Sequence, residues 1–250
     1  MKMTSRVFRT VVMLALIAAA AAESSAQSAA KEKDWDDSFY AAFTPETFAK
    51  YAPAQKPLDF KNVDHELLSA AIFFETNALR AKNDKKPLLH SLALRVAAFG
   101  HARDMAEKDF NSHENPDDPE KKTLVQRLAL VGIERCRMSE NIASMPGRQY
   151  PIISMKPGVG QIQVTPGKTP DPYTYLGFAK LVLEGWTVSP GHKENILADG
   201  TPYVGCAAYP CTKELLDARG QKITLDYFRA CQDFASKLGP GPKARPKGEK

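Results

Sequence analysis

The chain has 250 residues, 43% hydrophobic and 25% charged, so it carries enough apolar sequence to bury a core; intrinsic disorder is excluded and one globular domain is expected. Its net charge of +5 sits at the ends, with Lys2, Arg6 and Arg9 at the start and Lys243, Arg245, Lys247 and Lys250 against Glu249 at the finish. The body between is close to neutral and lacks the concentrated basic face that nucleic-acid binding uses, which excludes nucleic acid as a partner.

In chain order, Lys2, Arg6 and Arg9 precede the apolar run from Val11 to Ala22. That run falls short of the ~20 apolar residues a membrane span needs, so residues 1–22 read as a signal peptide, cut after Ala22 or after Ala26, with no integral membrane segment in the mature chain. Export to a secreted or periplasmic location follows. Residues 23–63 form an N-terminal extension; its aromatic stretch from Trp35 to Tyr51 suits either an element packed on the domain or a mobile linker. Asp64 is a helix N-cap for Leu68, Ile72 and Leu79, until Lys82-Asn83-Asp84 breaks the pattern. Ser91 caps a second helix with Leu92, Val96, Phe99 and Ala106 on its inward face. Thr123 and Gln126 have the form of a capping box for a short third helix ending at Gly132. Asp171-Pro172 opens a fourth, which turns Phe178, Leu181, Val182, Gly185 and Trp186 inward and ends at Pro190-Gly191. Residues 146–170, rich in Pro and Gly, read as a long loop, an insertion of the kind that is functional or mobile. The stretches 203–209 and 223–234 have the aromatic and β-branched composition of strands. Residues 238–250 form a flexible basic tail.

The chemistry-bearing residues fall in three clusters: Asn111-Ser112-His113, Ser139-Glu140-Asn141-Ile142, and Trp186 through Ser189-Pro190-Gly191-His192-Lys193-Glu194-Asn195-Ile196-Leu197. Each holds a His or Glu at the end of an element, where a side chain reaches a cleft without disturbing a helix interior. Export permits disulfides, and Cys136, Cys206, Cys211 and Cys231 are even in number with no C-x-x-C spacing, so two bridges are expected, with three connectivities open.

The order and wording of these clusters resembles the CAP superfamily, also called the SCP domain, which includes cysteine-rich secretory, antigen 5 and pathogenesis-related proteins. The match runs from Glu75-Thr76-Asn77 through Phe110-Asn111-Ser112-His113, Ser139-Glu140-Asn141-Ile142-Ala143 and Gly185-Trp186 to Val204-Gly205-Cys206-Ala207, in a domain spanning 64–237. The resemblance implies an α/β fold, a three-layer α/β/α sandwich with a small antiparallel sheet flanked by helices. It also implies a cleft of two His and two Glu, onto which His113, Glu140 and His192 map. Ser189 stands where the second Glu is expected, and Glu194 is the nearby acid that substitutes for it. His113 and His192 are the pair able to hold a divalent cation such as Zn²⁺, although no cofactor is required. Across the family, ligand binding is implied more often than turnover, with a lipid, another small molecule or a protein as partner. The alternatives are a metal-dependent hydrolase acting on a cell-wall, peptide or lipid substrate, and a structural interaction module with a vestigial cleft. No H-E-x-x-H helix or G-x-S-x-G elbow supports an enzyme. By the same resemblance Cys206 pairs with Cys231 and Cys136 with Cys211.

Overall fold

The computed structural model describes residues 37–165, 167–216, 220 and 222–239. The signal peptide, the cleavage sites, the first part of the N-terminal extension and the tail from residue 240 lie outside the described residues.

Two short helices, α1 (Asp37–Ala41) and α2 (Pro45–Phe48), lead through a 3-10 turn at Ala52–Gln55 to α3 (His65–Ala81). Then come β1 (Leu89–His90), α4 (Leu92–Glu107), α5 (Leu124–Leu130), β2 (Met138–Pro146), β3 (Ile152–Lys156), β4 (Val159–Ile162), α6 (Tyr175–Thr187), α7 (Pro190–Leu197), β5 (Tyr203–Leu216) and β6 (Lys222–Ala235). Three predicted caps are in place: the side chains of Asp64, Ser91 and Thr123 accept from the backbone N–H of Leu67, Leu94 and Gln126. Gly132 closes α5 at a φ of +79°, a left-handed conformation that costs glycine nothing.

The six strands lie in the order β1-β5-β6-β2-β4-β3. The central strands β5, β6 and β2 are antiparallel, but β1 joins β5 and β4 joins β2 in parallel, so the sheet is mixed where an antiparallel one was expected. Side chains alternate across a strand, and β6 shows which layer covers which face. Cys231 and Ala235 pack under α4 and α5, against Ala98 and Ala102 and against Leu94 and Leu128. Phe228 and Gln232 turn the other way, onto Phe178 of α6 and Thr76 of α3. Helices therefore cover both faces, as the three-layer expectation requires. Approach on the first face is close because Gly205 of β5 lies directly beneath α4, where any Cβ would collide with the backbone N of Arg95.

Several local expectations are corrected. On α4 the buried face is Leu94, Ala97, Ala98, His101, Ala102 and Met105, while Leu92 and Val96 are about half exposed. The spacing of the large apolar residues misled because the close sheet admits mostly small ones. Residues 152–162, read as loop, form the β3–β4 hairpin that extends the sheet. Pro190-Gly191 does not merely end a helix: Ser189 caps and Pro190 opens α7, since proline at a first helical position loses no needed N–H. The described part of the extension is packed, with Phe48 stacked on Phe74 at 4.3 Å and Tyr40 edge-on to Phe73 at 5.0 Å.

All four cysteines are free, which overturns the two-disulfide expectation. Register explains why. Ala207 lies opposite Cys231, so its neighbour Cys206 projects from the other face of the sheet and cannot meet Cys231. Cys211 lies opposite Tyr227 and Cys136 sits just before Met138, which is opposite Ala235; about 26 Å of β6 separates the two levels. Among the described residues no helix is long and apolar enough to cross a membrane.

Candidate functional site

β4 pairs with β2 only at Ser144, which leaves the edge of β2 around Glu140 and Asn141 open. The two helical layers meet across that edge. Glu140 lies opposite Asp233 and shares its face with Ile142 and Cys231, whereas Asn141 lies opposite Gln232 on the other face. From the first side comes the loop after α4, which carries His113. From the second comes α7, which carries His192 and Asn195. The amide of Asn195 donates to the exposed-edge carbonyl of Glu140 at 3.3 Å and to Asn141 Oδ1 at 2.9 Å, and Asn141 Nδ2 donates back to the carbonyl of His192 at 3.1 Å. These bonds stitch α7 to β2.

Glu140 is the hub. Its Oε1 accepts from His113 Nδ1 at 2.8 Å and its Oε2 from Arg127 Nη2 at 2.6 Å, with the carboxylate and the guanidinium both almost fully buried. Burial pushes the Glu140 carboxyl upward, but the hydrogen bond from His113 and the charge of Arg127 outweigh it and hold the group below the usual carboxylate range. An ionised Glu140 accepts from His113 Nδ1, which leaves Nε2 as the ring nitrogen not used in that bond. Arg127 also donates to the carbonyls of His113, Lys121 and Lys122, and His101 Nε2 donates to the carbonyl of Ser112 at 3.0 Å. The loop carrying His113 is thereby tied down at both its ends.

The rings of His113 and His192 lie edge to face, their planes 61° apart and their centres 6.3 Å apart; His113 is exposed and His192 half-buried. Burial, and then the neighbouring His113, push the His192 imidazole below its usual pKa, so it is neutral at pH 7. Two imidazoles sharing a tetrahedral cation at about 2.0–2.1 Å would put their centres about 5.2 Å apart. Two imidazoles hydrogen-bonded to a single oxygen at about 2.8 Å would put them about 6.3 Å apart. A centre spacing of 6.3 Å is compatible with an oxygen between the rings and is about 1 Å wider than a directly shared Zn²⁺ would set.

The predicted residues divide accordingly. His113, Glu140 and His192 converge. Ser189 does not line the cleft with its hydroxyl, which instead accepts from the backbone N–H of His192 at 3.5 Å as the cap of α7. Glu194 is exposed on α7, and among the described residues no hydrogen bond or ion pair joins it to His113, Glu140 or His192. Sequence reasoning missed His101, Arg127 and Asp233, and gave Cys231 only as a disulfide partner. The available signal was a charge beside apolar neighbours: Asp233 alternates with Cys231 and Ala235 on one face of β6, and Arg127 sits between Val125 and Leu128. Burial, reinforced by Glu140, pushes the Asp233 carboxyl well above its usual value, and burial, reinforced by Asp233 and Glu140, does the same to the Cys231 thiol. A groove of about 800 Å³ lies elsewhere, lined by Phe60, Asp109, Cys211 and Arg229, and none of the cleft side chains borders it.

A family model described as the cysteine-rich secretory protein family, CAP, matches residues 73–216. Among solved structures, an extracellular protein containing a SCP domain from Bacillus anthracis str. Ames is 23% identical with a TM-score of 0.45, the match covering 73% of this chain and 45% of that one. An outer surface protein from Borrelia burgdorferi is 17% identical with a TM-score of 0.39, over 73% of this chain and 98% of that one. The chain thus spans under half the length of the Bacillus protein. None of the curated proteins matches it.

Proposed function

The chain belongs to the cysteine-rich secretory protein family, CAP, and from that membership we propose that it is an extracytoplasmic binding protein which holds an oxygen-bearing group of its ligand between His113 and His192. The observation that supports this reading is the 6.3 Å spacing of two neighbouring imidazoles, one of them oriented by a buried carboxylate at 2.8 Å. His113 keeps Nε2 for the ligand because its Nδ1 is spent on Glu140, and an imidazole nitrogen pairs with a hydroxyl. The ligand is therefore a lipid, another small molecule or a protein partner that presents a hydroxyl to the cleft. His113 is more than half exposed, so the site grips a protruding group and does not enclose a whole molecule. Binding is favoured over hydrolysis because Ser189 stands where the second carboxylate is expected, and because the ring spacing is about 1 Å wider than a cation shared by both rings would set.

Native mass spectrometry of the full chain from an exporting host tests this. The wild type should carry an organic adduct that a chelator does not remove and that the double variant His113→Ala/His192→Ala lacks. An adduct that survives in the double variant, or a wild type that carries none, overturns the reading.

A further inference from the structure

Behind the cleft, on the face of the sheet covered by α4 and α5, Glu140, Cys231 and Asp233 bring three ligand atoms within 4.8 Å of one another, every one of them buried. The register produces this cluster. Glu140 lies directly opposite Asp233, and Cys231 is two residues away on the same face of β6. Cys231 Sγ stands 3.4 Å from Glu140 Oε2 and 3.6 Å from Asp233 Oδ1. A thiol has one proton and can satisfy only one of these two oxygens. The second oxygen of Asp233, a residue with no exposed surface, has no hydrogen-bond partner. Buried polar atoms are paired in the great majority of proteins, and here either a proton on Asp233 or a bound cation supplies the partner.

From this geometry we infer a buried site for a borderline-soft divalent cation of the Zn²⁺ class, ligated by the Cys231 thiolate and by carboxylate oxygens of Asp233 and Glu140. Ligand spacing supports it: a tetrahedral zinc with a sulfur at about 2.3 Å and an oxygen at about 2.1 Å puts those two atoms about 3.6 Å apart. Both observed separations fall near that value without rearrangement. Cation binding would release the protons that Asp233 and Cys231 otherwise keep, and the three ionised ligands would then balance the divalent cation together with the guanidinium of Arg127, 2.6 Å from Glu140. Thiolate ligation selects against Mg²⁺ and Ca²⁺, which take oxygen. Arg127 stays on Glu140 Oε2 through that oxygen's other lone pair, and Oε1 remains on His113, so the cation braces the carboxylate that orients the cleft histidine.

Cobalt reports this site specifically, since only a thiolate ligand gives a near-ultraviolet sulfur-to-cobalt charge-transfer band. The full chain, stripped by chelator, is titrated with CoCl₂ both in its native state and during refolding from denaturant. One equivalent should bind and produce the band. It should persist in His113→Ala/His192→Ala and in Cys206→Ser, whose sulfur lies on the opposite face. Cys231→Ser should abolish it, and Asp233→Asn should weaken binding by more than about tenfold. Absence of the band from the wild type under both loading regimes overturns the site, and so does its survival in Cys231→Ser or its loss in the double histidine variant. The wild-type measurement stands even if a variant fails to fold. The cleft reading is tested by adduct retention and is independent of this band.

Discussion

At the scale of single residues, Glu140 does two jobs that a neutral side chain cannot. It neutralises Arg127 in the interior, and it holds the direction of His113. Glu140→Gln would leave the guanidinium buried and uncompensated, a defect worth about 3–5 kcal/mol, and guanidinium chloride unfolding should register a loss of that size. A loss below about 1 kcal/mol would mean that the pair is not buried in solution. His101 makes a second residue-scale prediction. Its ring has no exposed surface, and burial drives its pKa below the usual value against the opposing pull of Glu140. The folded chain therefore resists a proton that the unfolded chain accepts at about pH 6.5. Stability is full above that pH and falls as the pH drops through it toward the lower folded pKa; His192 adds in the same direction. The unfolding midpoint should decline between pH 7.5 and 5.5, and His101→Gln, which keeps a donor for the carbonyl of Ser112, should flatten the decline. A midpoint that rises on acidification would contradict this account.

At the scale of elements, the sandwich depends on how closely α4 can lie on β5. The helix contributes alanines at Ala97, Ala98 and Ala102, and the strand contributes Gly205, whose missing Cβ makes room for the helix backbone at Arg95. Backbone cannot give way as a side-chain tip can, so Gly205→Ala should destabilise the protein by at least about 3 kcal/mol, read as a lowered denaturant midpoint at unchanged slope. If the variant were as stable as the wild type, α4 would have to sit further from the sheet than described. α7 depends on different forces. It buries only Ile196 and is held to β2 by amide hydrogen bonds from Asn141 and Asn195, with Ser189 capping its first turn. It is thus positioned by polar geometry, which suits an element whose task is to present His192.

At the scale of the whole molecule, the fold holds together without covalent bridges. The covering helices and the packed segment around Phe48 enclose the sheet, and the two most buried thiols, Cys206 and Cys231, lie on its opposite faces. Alkylation of the unreduced, denatured full chain should modify all four cysteines, and a reductant should leave the unfolding midpoint unchanged. Two or more unmodified cysteines, or a midpoint that drops on reduction, would restore a disulfide framework.

The sequence by itself determined what is local. Asp64, Ser91 and Thr123 announce helix starts because a capping side chain bonds to an N–H three residues on, and His113, Glu140 and His192 stand out within short motifs. It did not reveal β2, the strand that carries Glu140, nor the β3–β4 hairpin within the supposed loop, since their pairing partners lie far along the chain or depend on the sheet they extend. Only the tertiary structure decided that Ser189 caps its own helix, and that Arg127, His101, Cys231 and Asp233 gather behind Glu140. The reason is register. A shift of one residue along a strand reverses the face on which a side chain emerges, which separates Cys206 from Cys231 and joins Glu140 to Asp233. Composition and spacing along one chain carry no information about that alignment until the strands meet.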